Sequence, residues 1–308
     1  MAQKKTVAKK PRKLQEQRYK SFRLQKRIKS SKPKLPTIKA LTLQTAAILR
    51  QNKKFFIVYA LIYGVLSFLF IQTATVGINV AETKETLTSS LGAFPASLTL
   101  YTGLIGSTSQ FSNQIAAIYQ FVMVIIFGLA VVYGLRHMYG EDARRVSVKE
   151  SLYRGMAPLI PVLLVLIVVA IEFLPLSIAS SVYTTVITNG LAVTAIERIL
   201  WLVMLLLSVL LTTYLVSSSI FALFIATLPD MMPMQSLRAA RELVRFRRLE
   251  VIRKLIALPF ILFIVMGIII VPIILVVPVL AQPVFFVISS LILPVVLAYM
   301  YNLYRSML

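Results

Sequence analysis

From Leu255 to Met300 the chain runs 46 residues without a charged side chain. As one helix, at about 1.5 Å per residue, that run would be roughly 70 Å long, more than twice the ~30 Å hydrocarbon core of a bilayer. It therefore reads as two crossings with a turn between them. Pro278, Gln282 and Pro283 are the turn-forming residues inside the run, and the turn is expected there. The two spans are then about Leu255–Ala281 and Val284–Tyr304.

Four apolar stretches of similar length come earlier, at about Phe55–Val76, Ile115–Tyr139, Ala157–Ser181 and Leu200–Leu228. Each is near or above the roughly 20 residues that a crossing needs. Only 14% of the chain is charged, against roughly 25% in an average globular protein. The expected fold class is all-α: a polytopic membrane protein with six transmembrane helices.

The basic residues set the expected orientation. Of the 33 Lys and Arg, 18 lie in residues 1–54 with a single acid, Glu16, so this segment carries +17 of the +22 net charge. The 136–154 loop adds Arg136, Arg144, Arg145, Lys149 and Arg154, and the 238–254 segment is also basic. The intervening loops are not: 77–114 holds only Lys84, and 182–199 only Arg198. Basic loops stay on the cytosolic side, which predicts that both termini are cytosolic.

Three regions follow. Residues 1–36 read as a disordered polybasic arm, punctuated by Pro11, Pro33 and Pro36, with no apolar face to offset the entropy of ordering. Residues 37–54 carry Ile38, Leu41, Thr45, Ile48 and Leu49 at helical spacing, which predicts an amphipathic helix at the membrane surface. Residues 55–308 form the six-helix domain. No apolar core with a cleavage pattern opens the chain, so no cleavable signal peptide is expected.

The most organised charge lies in Pro229–Lys254, which holds six arginines and one lysine. Read as one helix from Pro233, it places Leu237, Ala240, Val244, Val251 and Leu255 on one stripe. Arg238, Arg241, Arg245 and Arg248 fall beside it, within ~80° at 100° per residue. A row of guanidinium forks can hold phosphates bidentately. These four arginines are the candidate site for anionic lipid or an acidic partner; the plainer reading is positive-inside decoration of an interfacial helix. Ser151-Leu152 and Ser236-Leu237 sit at similar places in the two basic loops. The match is too short to separate an internal duplication from coincidence.

Glu172 is the one charge deep inside a span. An intramembrane carboxylate is a site hypothesis with its partner named, and Arg198, at the start of the fourth span, is the candidate for the pair. A structural carboxyl capped by Ser177 near Pro175 is the alternative. His137 is the only histidine and there is no cysteine. No phosphate loop, triad, paired carboxylates or metal spacing is present, so no catalytic residue, metal site or cofactor is expected.

Three stretches carry a family resemblance: LRQNKKFF before the first span, VSVKESLYRGMAPLIP before the third, and LPDMMPMQSLRAARELVRFRRLEVIRKL between the fourth and fifth. Over about residues 40–304 the chain resembles a six-helix bacterial membrane-protein group. That group is related to the membrane domain attached to some glycerophosphodiester phosphodiesterases. The pattern is one of loops and spacing. The soluble catalytic half of those enzymes is absent, so the resemblance implies a membrane domain of the bacterial cytoplasmic membrane and carries over no enzymatic residue. Ala239-Ala240 and Ile256-Ala257-Leu258-Pro259 also resemble the two ends of the coupling loop of ABC importer permeases. Arg238 stands where that loop has Glu, its glycine is missing, and the spacing is two residues too long.

The expected role is non-catalytic: a scaffold, or a domain binding anionic phospholipids and partners through basic cytosolic surfaces. Two alternatives stay open. A transporter or permease subunit would show a polar cavity at mid-depth. A membrane receptor for ribosomes or insertion machinery would use the arm, which at ~36 residues reaches about 30–35 Å. The arm could hold ribosomal RNA or an acidic protein by salt-sensitive contacts, or the anionic leaflet at up to ~1 kcal/mol per basic residue.

Overall fold

A computed structural model describes residues 35–70, 80–107, 114–139, 146–229 and 231–308. The polybasic arm up to residue 34 lies outside the described residues. The described chain is helical throughout. In order, its helices are α1 (Ile38–Gln51), α2 (Lys53–Phe70), α3 (Val80–Leu91), α4 (Ala93–Ser107), α5 (Gln114–Met138), α6 (Val148–Gly155), α7 (Leu159–Thr188), α8 (Ala195–Ala226), α9 (Pro233–Val244), α10 (Arg248–Val276) and α11 (Pro278–Arg305). Six of them, α2, α5, α7, α8, α10 and α11, are long and apolar enough to cross a membrane, the number expected from the sequence.

Capping side chains start several helices. Thr37 accepts from the Ala40 N–H at 3.3 Å to open α1. Ser147 accepts from Glu150 N–H at 3.2 Å to open α6. The Glu150 carboxylate pairs with Arg154, one turn on, at 3.3 Å. The reciprocal box forms at α8, between Thr194 and Glu197, where an N-cap oxygen and an N3 carboxylate satisfy two orphan donors at once.

The turn between the last two spans differs from expectation. It is Val277 alone, and Pro278 is the first residue of α11. Proline is tolerated there because the first helical N–H has no partner to lose. Pro283 continues inside α11. The Val277 N–H bonds to the Ile273 carbonyl at 2.8 Å, and Lys84 Nζ donates to the Leu275 carbonyl at 2.9 Å. An ammonium on the freed carbonyls of a helix C-terminus is favourable by charge as well.

The segment expected to be a loop, 77–114, contains α3 and α4, joined at Gly92 with φ +84°, a conformation natural only to glycine. At fifteen residues α4 is about 22 Å long, too short to signal a span. It is nonetheless packed among the long helices. Tyr101 is fully buried, its hydroxyl donates to the Phe263 carbonyl at 2.6 Å, and its ring lies over Gly267, where a Cβ would come within 3.3 Å. Leu100 and Leu104 join Met266, Ile270 and Ile274 in the same cluster.

The largest core lies at the end of the bundle where the basic loops gather. It combines Leu41 of α1, Val165 of α7, Phe221 of α8, Ala240 and Val244 of α9, Val251 of α10 and Leu303 of α11. Asn302 ties this end together, donating to Thr45 Oγ1 at 3.0 Å and accepting from the Tyr139 hydroxyl. Tyr139 is half-buried. The Arg305 guanidinium lies 4.6 Å from its ring centre. By contrast, the large apolar side chains of α8 from Ile196 to Tyr214 are mostly exposed, a stretch of roughly 28 Å that lipid can cover.

Gly155 of α6 sits against the α5 backbone. A Cβ there would lie 3.1 Å from Ala130 Cα and from the Leu129 carbonyl oxygen, whereas one at Gly106 would meet nothing within 4 Å among the described residues. Gly155→Ala is expected to destabilise by about 1–3 kcal/mol. Gly106→Ala should be neutral or gain up to about 1 kcal/mol from helix propensity. Thermal unfolding of the two variants in one detergent checks the contrast.

Candidate anion-binding face at the basic end

Pro233 at its first position and the strong helix formers of LRAAREL start and carry α9. Its apolar stripe is the expected one. Leu237, Ala240 and Val244 are buried, and Ser236 with them. The stripe packs into the core that holds Phe221, Ala222 and Ile225 of α8. The helix folds back along α8: the chain that follows α9 returns Arg248 to the level of Tyr214, twelve residues before the end of α8. There the guanidinium carbon lies 4.1 Å from the ring centre.

The polar side of α9 faces outward. Arg238, Arg241 and Arg245 are exposed, with Glu242 beside them. Arg248 leaves the row. The expected single helix breaks at residues 245–247, where the Arg245 N–H still bonds to Arg241 and the Arg247 N–H bonds to Val244 at 2.9 Å. A new helix starts at Arg248. The structure thus brings three of the four predicted arginines onto one face and puts the fourth, half-buried, over Tyr214. Phe246 and Leu249, at the break, are 69% and 84% exposed.

The predicted pair of Glu172 and Arg198 is not formed. Glu172 is buried and accepts from the Ser219 hydroxyl of α8 at 2.6 Å. Its other oxygen is buried without a partner among the described residues. Arg198 donates through Nε to the Ala192 carbonyl at 3.2 Å, beside the turn between α7 and α8. The antiparallel pairing of those helices sets Glu172 against the far part of α8, so the residues sit at different heights. Ser177, the alternative cap, bonds to Phe173 in its own helix. His137 lies against Tyr133, Nδ1 3.0 Å from its carbonyl oxygen.

Two arginines used in the sequence only for orientation also belong to this end. A groove of about 740 Å³ opens between α5–α6 and the turn from α8 to α9, with Arg136 and Arg154 on its walls beside Tyr133, Pro158, Leu228 and Met231. Arg136 Nη1 donates to the Thr227 carbonyl, the C-cap of α8, at 3.0 Å. Next to Arg154, the Tyr133 hydroxyl and then Glu150 raise its pKa, favouring the charged form. The similar Ser-Leu pairs in the two loops were the available signal. Both serines are fully buried, and Ser151 donates to the Ala130 carbonyl of α5. In both loops a long helix is followed by a short one that folds back on it.

No protein-family model, curated protein or solved structure matches the chain.

Removing the one donor that Glu172 has among the described residues should be costly, because a buried carboxyl oxygen then loses its partner. Ser219→Ala is expected to cost about 1–3 kcal/mol. The double variant Glu172→Leu/Ser219→Ala should recover most of that loss, since both polar groups are gone. Thermal unfolding of the single and double variants measures the coupling.

Proposed function

We propose that the chain is a non-catalytic multi-pass protein of the bacterial cytoplasmic membrane, both ends cytosolic, whose basic end holds anionic phospholipid headgroups. The observation that carries this reading is the division of α9. One face is locked into the core by Leu237, Ala240 and Val244, and the other presents Arg238, Arg241 and Arg245. A fixed row of guanidiniums is suited to phosphate, because each fork can bond two oxygens. Phe246 and Leu249 supply apolar contact next to the charge. The positive-inside distribution supports the orientation, and the resemblance to a phosphodiesterase-associated membrane domain supports an accessory, non-catalytic role.

The contribution of each arginine near an anionic surface is up to about 1 kcal/mol. Arg238→Ala/Arg241→Ala/Arg245→Ala is therefore expected to bind phosphatidylglycerol nanodiscs or mixed micelles on the order of 100-fold more weakly, and to retain less anionic lipid through purification. The triple lysine variant should fall between, keeping charge and losing the fork geometry. Equal retention by parent and triple alanine variant would contradict the reading.

A further inference from the structure

A second cavity, of about 600 Å³, lies away from the arginines, roughly halfway along the long helices α2, α5, α10 and α11, with α4 closing one side. That volume is within the usual range of small-molecule and cofactor sites. Its walls include aromatic rings from three helices: Tyr101 of α4, Phe263 of α10, and Phe285 and Phe286 of α11. No charged side chain lines it among the described residues. A charged headgroup has nothing there to pair with, so it would bear the full desolvation cost of an unpaired ion. An occupant is neutral.

The polar groups select further. Ser67 lines the cavity, is 6% exposed, and its hydroxyl meets no partner among the described residues. Serines inside apolar helices ordinarily return their proton to a carbonyl three or four residues back. Ser289 and Ser290, on the facing wall, do so, bonding to Phe286 and Val287 at 2.7 Å. Ser67 does not. Tyr63, one turn before it, accepts from Gln120 Nε2 at 3.3 Å. That leaves the Tyr63 and Ser67 hydroxyl protons on the same face of α2, four residues apart, on residues that both line the cavity; the Ser67 oxygen is itself covered, and rotation about χ1 turns it to an occupant. Two adjacent donors in an apolar chamber call for an acceptor that carries no charge.

We infer that this cavity binds a neutral lipid through a carbonyl oxygen, which accepts from Ser67 and Tyr63 while the hydrocarbon part lies against the aromatic wall. The class includes diacylglycerols, through an ester, and lipid quinones, through the ring. The site is independent of the α9 face, since neither its residues nor its chemistry are shared.

The test uses the full chain in nanodiscs with three photoactivatable lipids: a diazirine-bearing diacylglycerol, a diazirine-bearing quinone, and a phosphatidic acid with the same acyl chains as the diacylglycerol. Adducts are mapped by mass spectrometry. The diacylglycerol or the quinone is expected to label peptides of α4, α10 and α11 around Tyr101, Phe263 and Phe286; whichever does so identifies the carbonyl source. Tyr63→Phe keeps the ring and removes one donor, and should weaken competition by the unlabelled lipid about fivefold, the worth of one neutral hydrogen bond. Ser289→Phe fills the chamber and should abolish those adducts, while labelling of the exposed Ile196–Tyr214 surface of α8 stays at the parent level and reports an intact fold. Equal labelling of the cavity by phosphatidic acid would overturn the proposal. So would neutral-probe adducts confined to the outer surface, or cavity adducts unaffected by both variants.

Discussion

The basic end depends on the close seating of α9 against α8. Ser236 and Ala240 are fully buried on α9, and Ala222 of α8 is fully buried in the same core. Small residues let two helix backbones approach, and they add van der Waals contact where lipid supplies no hydrophobic drive. The Ser236 hydroxyl is satisfied within its own helix, donating to the Pro233 carbonyl at 2.7 Å. Once α9 is held this way, its other face has to point outward. Arg238, Arg241 and Arg245 then stand in a row whose mutual repulsion, a few tenths of a kcal/mol per neighbouring pair, an anion would relieve.

The same arrangement recurs between α5 and α6. Ser151 bonds the Ala130 carbonyl, and Gly155 lets α6 touch the α5 backbone. Arg136 reaches from the end of α5 to the C-cap carbonyl of α8, so the two folded-back pairs are linked and enclose one groove. The aromatic cluster behind it, with Phe224 against Tyr301 and Tyr304 at 6.0 and 5.9 Å, joins this groove to α11 and so to α1 through Asn302. The arginines of this end therefore project from a packed base to which eight helices contribute, α1 and α5 to α11.

Much of this was legible in the chain. Uncharged length identified six spanning helices, because hydrocarbon thickness sets a minimum that little else imposes. Helical spacing identified which face of 233–244 would be buried, and Leu237, Ala240 and Val244 are on it. Periodicity says which face is covered and not what covers it, so the partner of α9 was out of reach. The break at Arg245–Arg247 carries neither glycine nor proline, and nothing in its residues marked it. Glu172 was paired by charge with Arg198, yet the register of α7 on α8 brings Ser219 to it instead. The cavity beside Ser67 is assembled from five helices, with its polar residues scattered from Tyr63 to Ser290; only the fold collects them.

A cysteine scan along residues 233–247 tests the seating of α9 most directly, since the chain has no cysteine of its own. Each single-cysteine protein is treated in membranes with a water-soluble maleimide from the side of the basic loops. The account predicts protection at 236, 237, 240 and 244 and rapid labelling at 238, 241 and 245, a helical pattern. Uniform labelling from 233 to 247 would contradict it.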